Sequence, residues 1–247
     1  MPAVYLVIGL PGSGRNEVVL NLIEGGLGAE QSISIFHPHN DVPTEGTLKH
    51  AHIKLEPFSF RDGHFAFEPK ADTSEENDVA FFLSDGRVSV IDQIEAFPPW
   101  LASRGLELAR VILVVDCALA AAHPEVAAWH EACVHFTDCV LMNRRNALSN
   151  VWAQQFQKKF AEARFPCVFC NVKDNAVENA PLVLFPEARR MSLVFDHIDP
   201  IDELELDEEN LPEEPFTLEN KPDPYFERMP GGQRRKPVPD VSEFLPK

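Results

Sequence analysis

A chain of 247 residues, 45% of them hydrophobic, carries enough apolar material for one α/β domain of about 200 residues with a core of its own. Its formal net charge of -17 excludes general binding to nucleic acid or to an anionic membrane surface, because the summed field repels phosphates. Any phosphate ligand must therefore be held by a local site.

The chain opens on a buried strand, Val4-Tyr5-Leu6-Val7-Ile8, that runs into Gly9-Leu10-Pro11-Gly12-Ser13-Gly14-Arg15-Asn16. Apolar Val18, Val19, Leu22 and Ile23 then recur at helical spacing. Strand, glycine turn and helix is the layout of a loop whose backbone N–H groups cradle a phosphate at the positive end of the helix. Gly9 and Gly14 have the separation of the pattern G-x-x-x-x-G-K-[ST], which also asks for a Lys on the β- and γ-phosphates and a hydroxyl on Mg²⁺. Arg15 and Asn16 stand in those two places. Arginine keeps the charge as a wide planar fork, and asparagine offers only an amide oxygen to a metal. The candidate ligand-binding residues here are Gly9, Gly12, Ser13, Gly14, Arg15 and Asn16.

Gly25-Gly26-Leu27-Gly28 stops the helix, and Ser32 to Phe36 reads as a short strand. Two His-x-His pairs follow, His37/His39 and His50/His52. Each puts two imidazoles on one face of an extended strand, although Pro38 and Asp41 favour a turn at the first. Residues 53–56 and 64–67 alternate like edge strands. Asp72, Thr73 or Ser74 is expected to cap a helix through Val79-Ala80-Phe81-Phe82-Leu83. Val88-Ser89-Val90-Ile91-Asp92 reads as a strand ending in an acid, which makes Asp92 the candidate for water-mediated Mg²⁺ binding or, equally, a cap of the turn into Phe97-Pro98-Pro99-Trp100.

Arg110 to Asp116 is the most hydrophobic run and predicts a central parallel strand. A helix from about Pro124 to His135, a strand and loop over Cys139 to Asn146, a helix from Val151 to Arg164 and a strand over Cys167 to Val172 complete a repeating pattern. It implies a doubly wound, mostly parallel sheet, a P-loop NTPase-like three-layer sandwich, with ligands at the carboxyl ends of the strands. The five cysteines lie in apolar or amphipathic runs and read as reduced thiols; the C-x-x-C of Cys167 and Cys170 lacks a second pair at zinc spacing.

Leu193-Val194-Phe195 is expected as a last strand, giving a domain over 1–198. Between Asp199 and Glu214 stand nine acids and no base, and proline recurs to Pro246. That composition predicts an acidic, Pro-rich, disordered tail over 199–247 whose removal leaves the domain folded. Within it Tyr225-Phe226 and Arg234-Arg235-Lys236 are candidate anchors for a protein partner. No basic region precedes the first apolar stretch and no apolar run reaches the roughly 18 residues of a span, so the expected location is the cytoplasm, without membrane attachment.

The order Gly9 to Arg15, Val90-Ile91-Asp92 before Pro98-Pro99, Val114-Val115-Asp116-Cys117 and Phe136 to Asn143 resembles the nucleotide-binding domain of CobW-like metal-chaperone GTPases, over roughly residues 3 to 175. The resemblance implies a nucleotide, GTP or ATP, with Mg²⁺, and a base-reading loop at Asn143. The family's N-K-x-D stands here as Asn143-Arg144-Arg145-Asn146, so the carboxylate that accepts two hydrogen bonds from guanine is missing. Its C-x-C-C metal motif is also absent. The expectation is a degenerate CobW-like GTPase-type protein with weak or no hydrolysis. The alternatives are an active P-loop hydrolase or kinase with Arg15 in place of Lys, and a non-catalytic scaffold acting through its tail.

Overall fold

The computed structural model describes residues 2–41, 43, 52–68, 78–190, 192, 194–196 and 223–245. They fall into two compact units, one within Met1–Arg190 and Val238–Lys247, the other within Met191–Pro237. The first is built on a nine-stranded sheet of order β4-β3-β2-β5-β1-β6-β7-β8-β9. Strands β1 (Ala3–Gly9), β2 (Ile33–Pro38), β3 (Ile53–Arg61), β5 (Val79–Leu83), β6 (Glu107–Asp116), β7 (Cys139–Asn143) and β8 (Val168–Lys173) run parallel. Short β4 (His64–Phe67) and β9 (Ala176–Val177) pair antiparallel at the two edges. This is the α/β sandwich that the alternating pattern implied.

Helix α1 (Arg15–Gly26) turns Val18, Val19, Leu22 and Ile23 into the core against Tyr5, Val7, Phe81 and Leu83. The other face of the sheet carries an aromatic cluster. Phe82 stacks on Phe58 at 4.7 Å and meets Phe97 and Trp100 at 5.0 and 4.7 Å. Helix α2 (Val90–Arg104) continues through Pro98 and Pro99, whose lost hydrogen bond and clash cost a helix roughly 3 kcal/mol. Phe97 and Trp100, buried on either side of the two prolines, offset that cost by packing.

Two expected elements change type here. Val79–Leu83 is a strand, buried along its whole length between β1 and β2, and not a helix capped from Asp72; residues 69–77 lie outside those described. The stretch from Val88 to Asp92 is not a strand, because Ser89 caps α2 by accepting from the Asp92 amide at 3.2 Å. Helices α3 (Cys117–Ala122), α4 (Ala127–His135), α5 (Asn150–Glu162) and α6 (Ala180–Val183) follow. The buried Arg110 guanidinium of β6 donates to the carbonyls of Leu182 and Val183 at 2.8 and 2.9 Å, and the Tyr5 hydroxyl to that of Leu184 at 2.5 Å. These bonds bind the segment around α6 to the sheet.

Val194 and Phe195 form a turn where a last strand was expected, and Leu193 lies outside the described residues, as do 197–222. Residues 238–245 group with the compact unit of the sheet, with Val241 buried and Phe244 4.9 Å from His123. The apolar side chains Val241 and Phe244 explain this, since each has a surface to cover. In the second unit, chain reversal at Gly231 and Gly232 brings Arg228 and Arg234 into an antiparallel bridge. Lys236 Nζ then lies 4.1 Å over the Tyr225 ring, so the aromatic and basic stretches singled out in the sequence meet each other.

Candidate functional site

Parallel strands β5, β1, β6 and β7 deliver Ser84, Gly9, Asp116 and Asn143 to one edge of the sheet. At that edge Ser13 N–H donates to the Leu10 carbonyl at 3.1 Å, and Gly12 and Gly14 take φ of 83° and 82°. Gly14 is the N-cap of α1 and has no side chain to close it, so the helix opens on first-turn amides with no side-chain acceptor among the described residues. Ser13 Oγ is fully buried and has no hydrogen-bond partner among the described residues. It lies 3.1 Å from where a Cβ would stand on Gly9. Amides without a side-chain cap among the described residues, at the positive end of a 12-residue helix and over an unsatisfied hydroxyl, fit an anion.

Arg15 does not reach outward. Its side chain is buried, and Nη1 donates to the carbonyls of Gly9 and Ser84, the latter at 2.5 Å. Nε donates to Asp41 Oδ2 at 3.0 Å, and Nη2 pairs with the same oxygen. Asn16 Nδ2 lies 3.3 Å from Asp41 Oδ1. The loop's guanidinium is therefore tied to the carboxyl ends of β1 and β5 and to a carboxylate beyond β2. No sequence motif marks Asp41, whose place after Pro38 suggests only a turn.

Asn143 is buried at the end of β7. Its amide donates to the Ser13 carbonyl at 2.8 Å and to Asn175 Oδ1 at 3.0 Å, which braces the loop from behind. Gly14 is needed for this approach, since a Cβ there would stand 2.5 Å from Asn143 Nδ2. Asn146, three residues on, is exposed, with Nδ2 3.4 Å from Asp174 Oδ1. Asp116 caps α3 by accepting from Leu119 N–H at 2.9 Å.

Asp92 sits in the first turn of α2, so the acid following β5 is Asp85. Asp85 Oδ1 accepts from Arg87 N–H at 2.9 Å, and Gly86 packs against the loop so closely that a Cβ would stand 2.6 Å from Pro11 Cδ. A run of apolar residues ending in Ser84-Asp85-Gly86 was the available signal for this turn. His37 is buried on β2 with Nδ1 3.0 Å from the Pro38 carbonyl, and burial lowers its pKa. His39 instead lies 3.7 Å from Glu68, His52 is exposed, and His50 lies outside the described residues. Among the described residues no group of three His, Cys, Asp or Glu side chains is placed to hold a metal ion.

Sheet order and glycine loop define an α/β protein with a P-loop NTPase-like fold. Among solved structures, the Zn(II)-bound YjiA GTPase from E. coli is similar with a TM-score of 0.50 at 14% identity, over 77% of this chain and 63% of that chain. This chain thus spans less than two thirds of YjiA. A Zn(II)-bound triple mutant of YjiA gives 0.43 at 16% identity, over 73% of this chain and 62% of that one. Hydrogenase maturation factor HypB from Archaeoglobus fulgidus gives 0.43 at 14%, over 69% and 81%. At these identities the likeness is one of fold. No protein-family model and no curated protein matches the chain.

Proposed function

We propose that the chain is a GTPase-like nucleotide-binding protein that holds a nucleotide or another phosphate ligand at Gly9–Asn16 with weak or no hydrolysis. One observation carries this reading: α1 opens on uncapped amides above the unsatisfied Ser13 hydroxyl, while Arg15 is committed to Gly9, Ser84 and Asp41. The amides supply binding. The cation that would meet charge developing on the transferred phosphoryl group is turned inward, and that charge is what catalysis in this class chiefly stabilises. Base selection is weak on the same reading, because Asn143 is spent on the loop and Asn146 brings an amide where a carboxylate would accept from guanine. For Mg²⁺ the donor set fits poorly: Asn16 supplies an amide, Asp41 serves Arg15, and Asp85 serves its own turn.

The test is a titration with fluorescent GTP, GDP and ATP, with and without Mg²⁺, followed by a phosphate-release assay. Binding with little dependence on base or Mg²⁺, and no release above background, is expected. Release that disappears in Arg15→Ala would make the chain an active hydrolase. Failure of every nucleotide and of inorganic phosphate to bind, also in the Arg15→Lys, Asn16→Thr double variant, would remove the anion site altogether.

A further inference from the structure

We propose that Cys139 and Cys170 form an oxidisable dithiol, a modification site at which a peroxide joins β7 to β8 through a disulfide. The two residues stand on neighbouring parallel strands, whose register pairs Cys139 with Val168 and Leu141 with Cys170. Cys139 and Cys170 thus share one face of the sheet on a diagonal, and their Sγ atoms are 3.8 Å apart. Cys170 is partly exposed and Cys139 is buried beneath it, so oxidant reaches one sulfur and the other waits beside it.

The remaining cysteines are chemically distinct. Cys117 and Cys133 are fully enclosed, and burial raises both thiols, as it does that of Cys167. Cys170 alone among the five is shifted downward, because the Cys139 S–H donates to its thiolate and the Arg110 guanidinium adds to the pull, against burial and the Glu178 carboxylate. Cys139 is raised as the donor of that bond. The thiolate is the nucleophile in such chemistry, and a low-pKa, accessible thiol with a resolving partner is the pattern of redox-sensitive sites.

The chemistry balances with hydrogen peroxide as the oxidant. The Cys170 thiolate attacks one peroxide oxygen, the O–O bond breaks, and the leaving hydroxide takes up the proton that Cys170 lost on ionising, giving water and a sulfenic acid. Cys139 sulfur then attacks the Cys170 sulfur; an S–S bond forms, the S–O bond breaks, and the departing hydroxide takes the Cys139 proton to leave as water. Two thiols have been oxidised and one peroxide reduced to two waters.

The full chain is treated with hydrogen peroxide, its free thiols are alkylated, and its peptides are mapped without reductant. A Cys139–Cys170 linkage, reversed by dithiothreitol, is expected. In Cys139→Ser the sulfenic acid on Cys170 persists and is trapped by dimedone. Iodoacetamide labelling of Cys170 at pH 7 falls in Cys139→Ala, which removes the donor to its thiolate, whereas a serine hydroxyl could still donate. A Cys167–Cys170 linkage, over-oxidation of Cys170 with Cys139 left free, or labelling of Cys170 that is unchanged in Cys139→Ala would each overturn the proposal.

Discussion

At Arg15 a single side chain decides how a phosphate loop behaves. A lysine ammonium is a point charge on a flexible stem, whereas a guanidinium is a planar fork that seeks several acceptors at once. Arg15 finds them in Gly9, Ser84 and Asp41. A buried cation without its carboxylate is costly, so Asp41→Asn is expected to lower stability by about 3 kcal/mol, read as a fall in the urea midpoint. The same change loosens the hold on Arg15 and should strengthen nucleotide binding in the fluorescence titration. Unchanged affinity would show that the Gly9 and Ser84 carbonyls hold the fork by themselves. The glycine loop was legible from spacing and residue type. Asp41 was not, because it lies 26 residues from Arg15 and beyond another strand.

Among the elements, β5 and α2 exchanged types relative to expectation, for physical reasons. A five-residue apolar run has no period that separates strand from buried helix. Two parallel neighbours, β1 and β2, made Val79–Leu83 a strand. Val90, Ile91, Ile94, Phe97 and Leu101 recur at helical spacing on the buried face of α2, and Ser89 supplies its cap. Pro98 and Pro99 hid that helix in the sequence, and with it the shift of the strand-end acid from Asp92 to Asp85. The closing segment also takes its role from contact. Val238, Pro239, Asp240 and Val241, with Gly86 to Val90 and Trp129, line a cavity of about 260 Å³. Deleting 238–247 should leave the sheet folded but strip cover from that surface. Losing Val241 burial alone is worth roughly 1.5–3 kcal/mol, and melting should fall by about 3–12 °C in a thermal scan. A melting temperature equal to that of the full chain would show the segment to be an ornament of the surface.

Over the whole molecule, buried imidazoles make stability depend on pH. His130 on α4 is enclosed beside Trp129 and Phe156, and burial lowers its pKa to about 4, against the opposing pull of the Val126 carbonyl. Its unfolded value is about 6.5, so between those values the unfolded chain binds more protons than the folded one, and stability falls as pH falls. His130 contributes about 3 kcal/mol to that loss across the window, and His37, also lowered by burial, adds in the same direction. Urea midpoints measured at pH 7 and pH 5 should differ, and His130→Phe should reduce the difference. An equal pH dependence in the variant would remove His130 as its source.

The sequence by itself determined β1, the glycine loop and α1, the strong strands β6 and β7, and hence the class of fold, because these depend on local quantities: an apolar run, a left-handed glycine, a helical period. The tertiary structure alone decided which distant side chains meet. Arg15 with Asp41, Asn143 with Asn175, Asp85 after β5 and Cys139 beside Cys170 are pairings or placements made by strand order and register, which no residue carries in its own neighbourhood.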